Sequence, residues 1–151
     1  MIERFLPTEA AMEALGAELA KICAGGAVVY LHGELGAGKT TLVRGLLRAL
    51  GHQGAVKSPT FTLVESYELG GMPIYHFDLY RINNAAELEH LGLEDYFLPA
   101  NLCLVEWPER GADRLPPPDL YINLSYAAPG RRATLEARSG LGERMLKALA
   151  S

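Results

Sequence analysis

Apolar residues recur at helical spacing near the start of the chain. Within residues 8–22, the apolar side chains at positions 12, 15, 19 and 22 fall on one face of a helix. Thr8 is a suitable N-cap, since its hydroxyl can accept a hydrogen bond from a free backbone N–H of the first turn. Gly25 and Gly26 end this segment. The continuously apolar residues 27–31 that follow are typical of a strand covered on both faces.

The rest of the chain alternates between helical and strand-like patterns. After a glycine-rich loop, residues 41–50 carry a second apolar stripe at helical spacing, which Gly51 is placed to end. Residues 61–68 and 73–79 predict the two strands of a hairpin, because Gly70-Gly71 can form the turn between them. The remaining segments predict a short helix at 85–91, a second buried strand at 102–105, a hairpin of 120–126 and 131–137 around Pro129-Gly130, and a closing helix at 142–150.

This order of elements predicts the fold class. Helices mixed with both buried and paired strands indicate an α/β fold with a mixed sheet. A length of 151 residues suits one domain spanning residues 1–151. The three prolines at 116–118 form a rigid connector, but they lie too close to the C-terminus to begin a second domain.

The composition of the chain indicates which kinds of partner and which cellular compartment to expect. A net charge of −4 argues against an independent nucleic-acid binder, which usually carries a basic surface. Four glutamates within the first 21 residues do not fit a secretory signal, and no window approaches the roughly 18 apolar residues of a membrane span. Cys23 and Cys103 lie in apolar surroundings without metal-site spacing, which is typical of small buried side chains in a reducing compartment. We therefore expect a cytoplasmic protein without membrane contact.

Residues 33–40, GELGAGKT, fit the pattern G-x-x-x-x-G-K-[ST] at every fixed position. Gly33, Gly36 and Gly38 let the backbone wrap closely around phosphates and turn its N–H groups inward. Lys39 supplies positive charge to the terminal phosphates, and the Thr40 hydroxyl can bind Mg²⁺. The loop follows an apolar strand and opens an amphipathic helix, whose N-terminus points at the same anion. This context predicts a phosphate-binding loop rather than a chance glycine-rich turn with a surface lysine.

Two carboxylates at strand ends could complete a metal site. Glu106 directly follows the apolar residues 102–105, where a second metal-site strand of a nucleotidase offers its ligand; the alternative is a solvated residue at a strand end. Asp78 ends another strand and could contact the metal or the attacking water; the alternative is an ion pair with Arg81.

Three further features near these strands allow two interpretations each. His76 stands beside aromatic residues, where a histidine is more often structural than catalytic. Trp107, the only tryptophan, either flanks the nucleotide or simply packs. Residues 57–61, KSPTF, suit either a segment that closes over the terminal phosphate or an ordinary turn into a strand.

Five segments carry a closer resemblance. They are GELGAGKTT at 33–41, VKSPTFTLV at 56–64, YHFDLYR at 75–81, ELE at 87–89 and VEWP at 105–108. In order and spacing they resemble the bacterial TsaE (YjeE) ATPases, which are required for threonylcarbamoyl modification of the tRNA adenosine next to the anticodon. The first segment is shared by many nucleotidases, whereas the others are much more specific to this family.

The resemblance implies a P-loop NTPase-like three-layer fold with a mixed parallel and antiparallel sheet, which binds ATP or ADP with Mg²⁺. Lys39 would contact the β and γ phosphates, and Thr40 and Glu106 would hold the Mg²⁺. Asp78 would lie at the reaction centre, and Thr60 would belong to a switch segment at 58–61; with Lys39, these are the implied catalytic residues. The implied nucleotide contacts are Leu6, Glu9, Gly33, Leu35, Gly36, Ala37, Gly38, Lys39, Thr40, Thr41, Trp107, Gly130 and Arg131.

The resemblance also implies partners. The protein would not transfer the threonylcarbamoyl group itself. It would be the ATPase, weak alone, that binds the TsaB–TsaD pair and supports repeated turnover. The net negative charge of the chain agrees with a tRNA contact made only through that complex. The isolated chain is expected to be monomeric.

Two other functions fit the phosphate loop. A small-molecule kinase would share it, but such an enzyme usually has a basic lid, and Arg131-Arg132 lies in a predicted hairpin instead. A binding module with negligible hydrolysis would use ATP as a conformational signal. A GTPase is less favoured, because no Asn-Lys-x-Asp run occurs in the chain.

Overall fold

The computed structural model describes residues 1–150, which form one seven-stranded sheet and three α-helices. In chain order these are β1 (Ile2–Leu6), α1 (Glu9–Ile22), β2 (Ala27–His32), α2 (Lys39–Ala49), β3 (Val64–Leu69), β4 (Met72–Asp78), β5 (Leu102–Glu106), β6 (Leu120–Ala127), β7 (Gly130–Ala137) and α3 (Gly140–Ala150). The strand order across the sheet is β1-β7-β6-β2-β5-β4-β3.

The sheet is parallel at its centre and antiparallel at both edges. β2 pairs in parallel with β5 and β6, and β5 pairs in parallel with β4. The two predicted hairpins, β3–β4 and β6–β7, supply the antiparallel pairs, and β1 adds to β7. Because β2, β4 and β5 run the same way, their carboxyl ends meet at one edge of the sheet. There Leu31 faces Glu106, and Glu106 faces Asp78.

The sheet separates two hydrophobic cores. Successive side chains of a strand point to opposite faces, so in β5 Leu102 and Leu104 join the core under the α-helices, while Cys103 and Val105 join the other. The second face is covered by short 3₁₀ helices and aromatic side chains. One of them, Ala85–Leu91, was predicted as a short helix and begins with a capping box between Asn84 and Glu87. The expected three-layer α/β fold with a mixed sheet is confirmed, with one outer layer of α-helices and one of 3₁₀ turns.

Helices α1 and α2 cross with unusually close backbones. A Cβ atom on Gly16 would lie 2.3 Å from the carbonyl oxygen of Leu42, and one on Gly45 would lie 2.2 Å from the carbonyl oxygen of Glu13. Only glycine fits at both positions. The crossing brings the N-terminal turns of α1 and α2 together beside the phosphate loop.

Several predicted boundaries were wrong by a few residues, and one strand was missed. The first strand of the β3–β4 hairpin begins at Val64 rather than at position 61, because residues 59–62 form a turn. Glu106 and Asp78 are the last residues of their strands. The missed strand, β1, pairs only with β7, and its five residues, IERFL, do not alternate apolar with polar side chains, so no strand pattern stands out.

Two other sequence predictions concern the cysteines and membrane-spanning helices. Cys23 and Cys103 are both buried free thiols, as expected. Across residues 1–150, the structure contains no helix long and apolar enough to cross a lipid bilayer.

Candidate functional site

The loop between β2 and α2 adopts a conformation that its glycines make possible. Gly36 and Gly38 have φ angles of +80° and +109°, a region that side chains with a Cβ rarely enter. The N–H of Ala37 donates to the carbonyl of Glu34 at 3.0 Å, which closes a turn at the tip of the loop. The loop then leads directly into the first turn of α2, whose free N–H groups face an incoming anion.

Lys39 places a buried positive charge in the site. Only 5% of it is exposed, its ammonium donates to the carbonyl of Gly33, and its Nζ lies 4.1 Å from the ring centroid of Trp107. Desolvation lowers the pKa of Lys39, and the negative charges of Glu106, Asp78 and Glu109 oppose that shift.

Asp78 and Glu106 lie side by side at the carboxyl ends of β4 and β5, and each is 3% exposed. Asp78 accepts a hydrogen bond from the Thr60 hydroxyl at 2.9 Å and another from the backbone N–H of Tyr80 at 2.9 Å. Arg81, the alternative partner considered for Asp78, instead lies over the ring of Phe61 at 5.1 Å. The carboxylate of Asp78 therefore faces the segment at 58–61 rather than a neighbouring cation.

His76 contacts the other carboxylate. Its Nε2 lies 2.6 Å from Oε2 of Glu106, and the ring is fully buried. The ring Nδ1 has no hydrogen-bond partner among residues 1–150. The geometry suits donation of a hydrogen bond from the Nε2–H of His76 to the Glu106 carboxylate. The expected structural role of His76 thus has a specific form: it orients Glu106.

Trp107 both packs and faces the cleft. It occupies the left-handed region with φ of +56° at the end of β5, which turns its ring away from the strand direction. Its ring contacts that of Tyr80 at a centroid distance of 5.0 Å and also covers Lys39. Both interpretations of Trp107 from sequence are therefore compatible with its position.

Two adjoining cavities meet at the loop and share Glu9, Gly36, Gly38 and Thr41. The larger, about 320 Å³, is lined by Glu9, Leu35, Gly36, Gly38, Lys39, Thr40, Thr41, Ser58, Thr60, Asp78, Glu106 and Trp107. The smaller, about 150 Å³, is lined by Leu6, Pro7, Thr8, Glu9, Met12, Gly36, Gly38, Thr41, Pro129, Gly130 and Arg131.

The structure brings the predicted site residues together from six separate parts of the chain. Of those residues, only Gly33 and Ala37 line neither cavity. Gly33 accepts the hydrogen bond from Lys39, and Ala37 is buried behind the tip of the loop. Sequence reasoning missed Pro7, Thr8, Met12 and Pro129 in the smaller cavity. Met12 had been assigned to the apolar face of α1, and nothing in its spacing distinguishes the end of that face from its middle.

The residues at the larger cavity fit a Mg²⁺ ion better than an ion that needs a full set of protein ligands. The Thr40 hydroxyl and the carboxylates of Glu106 and Asp78 offer oxygen ligands, which Mg²⁺ prefers. Within residues 1–150, no group of three or more His, Cys, Asp or Glu side chains is arranged to hold a metal. So few protein ligands suit Mg²⁺, which keeps several water ligands and is usually bound by one or two carboxylates together with substrate phosphates.

Comparisons with known proteins agree on one family. A family model described as "Threonylcarbamoyl adenosine biosynthesis protein TsaE" matches residues 6–134. A Haemophilus influenzae protein described as "tRNA threonylcarbamoyladenosine biosynthesis protein TsaE" is 44% identical over 155 residues, covering 99% of this chain and 98% of the relative. A Bacillus subtilis protein with the same description is 43% identical over 107 residues, covering 71% of this chain and 66% of the relative. The crystal structure of Bacillus subtilis YdiB matches with a TM-score of 0.85 and 31% identity, covering 99% of this chain and 93% of that one.

Proposed function

The chain belongs to the TsaE family, and we propose that it binds and hydrolyses ATP with Mg²⁺ in support of threonylcarbamoyl modification of tRNA. One observation carries the catalytic part of this proposal. Lys39, Thr40, Thr60, Asp78 and Glu106, which come from four separate stretches of sequence, line one cavity above the N-terminus of α2.

The larger cavity supports binding of the nucleotide phosphates. The backbone of the loop and the first turn of α2 supply N–H donors, and Lys39 supplies a buried positive charge next to them. A phosphate that accepts from Lys39 would replace the Gly33 carbonyl as its partner. The Thr40 hydroxyl and Glu106 would hold the Mg²⁺, which would offset the negative charge of the phosphates.

Asp78 and Thr60 support the chemical step. The Thr60 hydroxyl donates to Asp78, so this carboxylate is held at the cavity wall and retains lone pairs for a water molecule. In that position Asp78 can orient the attacking water and accept its proton, and Lys39 can stabilise the charge that develops on the transferred phosphoryl group. Ser58 and Thr60 are joined by a 2.8 Å hydrogen bond, so the segment that carries them can order around the terminal phosphate as one unit.

The smaller cavity supports binding of the nucleoside. Its walls are largely apolar, formed by Leu6, Met12 and Pro129, which suits the face of a base. Glu9 and Arg131 add polar groups at its rim, and Gly130 lies against Leu6 so closely that a Cβ atom would meet the Leu6 carbonyl oxygen at 2.3 Å. Because the two cavities share loop residues, a nucleotide can place its base in one and its phosphates in the other.

The family assignment supports the biological role. We propose that the protein works with TsaB and TsaD proteins as their ATPase partner, and that tRNA is contacted only through this complex. The net charge of −4 fits that division, because a tRNA-binding surface requires clustered positive charge.

Steady-state ATP hydrolysis tests the proposal. The purified protein is assayed with Mg²⁺ alone and with the TsaB–TsaD pair added, and Lys39→Ala serves as the inactive control. We expect weak activity that changes clearly when the pair is present. A rate of hydrolysis that is the same with and without the TsaB–TsaD pair would contradict the partnership. The absence of hydrolysis in both samples would contradict the ATPase assignment.

A further inference from the structure

The tip of the phosphate loop is a turn with two possible peptide orientations. Glu34 accepts from the N–H of Ala37, so Leu35 and Gly36 are the two central residues of a β-turn. The φ of +80° at Gly36 identifies the type II form. Type I and type II turns differ by a flip of about 180° in the peptide that joins the two central residues. In this loop that peptide is the one between Leu35 and Gly36.

Tyr126, near the end of β6, contacts this same peptide. Its hydroxyl donates to the carbonyl oxygen of Leu35 at 2.9 Å, although the two residues are 91 positions apart. Arg131 packs over the face of the tyrosine ring, with its guanidinium carbon 4.3 Å from the ring centroid. The side chain is half exposed, so core packing does not account for its position.

The hydrogen bond from Tyr126 favours one of the two turn forms. In a trans peptide the C=O and N–H groups point in opposite directions. When the Leu35 carbonyl is held against the Tyr126 hydroxyl, the Gly36 N–H must point away from β6. A flip to the type I form would turn the carbonyl away from Tyr126 and lose the bond.

We propose that Tyr126 is a positioning residue for the phosphate loop, which selects the turn orientation that presents the Gly36 N–H to the phosphates. The inference rests on the proposed function, in which this loop binds a nucleotide. Tyr126 does not touch the phosphates; it acts through the Leu35–Gly36 peptide. Its loss lowers the fraction of molecules with a competent loop, and the apparent affinity for any ligand of the loop falls by the same factor.

Calorimetric binding of ADP and of inorganic pyrophosphate, each with Mg²⁺, tests this inference. In Tyr126→Phe only the hydroxyl is removed, and the loss of one such hydrogen bond shifts the turn equilibrium about fivefold, so Kd should rise by up to about fivefold. The factor should be the same for both ligands, because pyrophosphate has no nucleoside. Tyr121→Phe is the matched control: Tyr121 lies on the same strand, and its ring stacks near His32 and Arg138, far from the loop tip. The affinities of Tyr121→Phe for both ligands should match those of the wild type, and the thermal unfolding midpoints of both variants should stay within a few degrees of the wild-type midpoint.

A second readout does not depend on a ligand. The nuclear Overhauser effect between Leu35 Hα and the Gly36 N–H reports the orientation of the Leu35–Gly36 peptide, because these two protons are close in a type II turn and further apart in a type I turn. It should weaken in Tyr126→Phe and not in Tyr121→Phe. An Overhauser effect and affinities that all stay at the wild-type values would overturn the inference. A loss confined to ADP would also overturn it, because Tyr126 would then act on the nucleoside. Binding of ADP and pyrophosphate by the wild-type protein tests the proposed function. The ratio of the Kd of Tyr126→Phe to the wild-type Kd tests the role of Tyr126.

Discussion

His76 and Glu106 form a fully buried pair across β4 and β5, with Nε2 of the histidine 2.6 Å from Oε2 of the glutamate. The strand register explains the contact, because His76 faces Leu104 and Glu106 lies two residues further along the same face of β5. The pair places a carboxylate at the floor of the larger cavity while satisfying one of its oxygens.

Removal of the histidine should destabilise the protein. In His76→Ala the buried carboxylate of Glu106 loses its donor and a cavity opens, so we expect the free energy of unfolding to fall by about 3 kcal/mol. Urea unfolding measures the difference. His32→Ala is the control, since the His32–Glu109 pair is about 40% exposed and should cost less than about 1 kcal/mol. Equal losses in the two variants would mean that burial of the pair contributes little.

Lys39 should be essential for phosphate binding. In Lys39→Ala the only buried cation of the loop is lost, so we expect the affinity for ATP with Mg²⁺ to fall at least about tenfold, measured by calorimetry. Lys147→Ala, on the exposed side of α3, should bind as the wild type does. Unchanged ATP affinity in Lys39→Ala would remove the basis for the phosphate-loop assignment.

Glu106 should matter more for hydrolysis than for binding. In Glu106→Gln the side chain keeps its shape and can still contact His76, but it loses the charge that favours Mg²⁺. We expect Mg²⁺-dependent hydrolysis to fall about 100-fold while ADP binding is partly kept. Glu109→Gln, three residues along and outside the larger cavity, should leave turnover near the wild-type rate. Normal turnover in Glu106→Gln would exclude it from the metal site.

The close crossing of α1 and α2 should not tolerate a methyl group. In Gly45→Ala the new Cβ would approach the Glu13 carbonyl oxygen to 2.2 Å, so the helices must move apart. We expect a loss of about 1–3 kcal/mol in the free energy of unfolding. Gly140→Ala, at the start of α3, meets no atom closer than 3.6 Å and should have little effect. If the two variants unfold at the same urea concentration, the crossing is not tightly packed.

The two thiols should be unreactive in the folded protein. Burial raises the pKa of Cys23 and Cys103 to about 12, from 9.0. A thiol reagent at pH 8 should therefore label neither residue until the protein is unfolded, and then both. Above pH 9 the unfolded chain loses these protons while the folded chain keeps them, so stability should decline as the pH rises toward 12. Rapid labelling of the folded protein would show that the core opens readily.

The sequence by itself determined those parts of the protein that depend on neighbours in the chain. The spacing of apolar residues predicted all three α-helices and six of the seven strands, since the periods 3.6 and 2 are local properties. The glycines and Lys39 of the loop were identifiable for the same reason: all of them lie within eight residues. The five motif segments were sufficient to indicate the family to which the chain belongs.

Beyond the two predicted hairpins, only the tertiary structure decided which strands are neighbours and in what register, because a pattern of period 2 is identical for every partner. It placed Asp78 beside Glu106, put His76 on that carboxylate, and brought Tyr126 to the carbonyl of Leu35. β1 went unpredicted because its five residues become a strand through pairing with β7, not through a strong pattern of their own. Contacts between distant residues depend on how the whole sheet closes, and no local pattern contains that information.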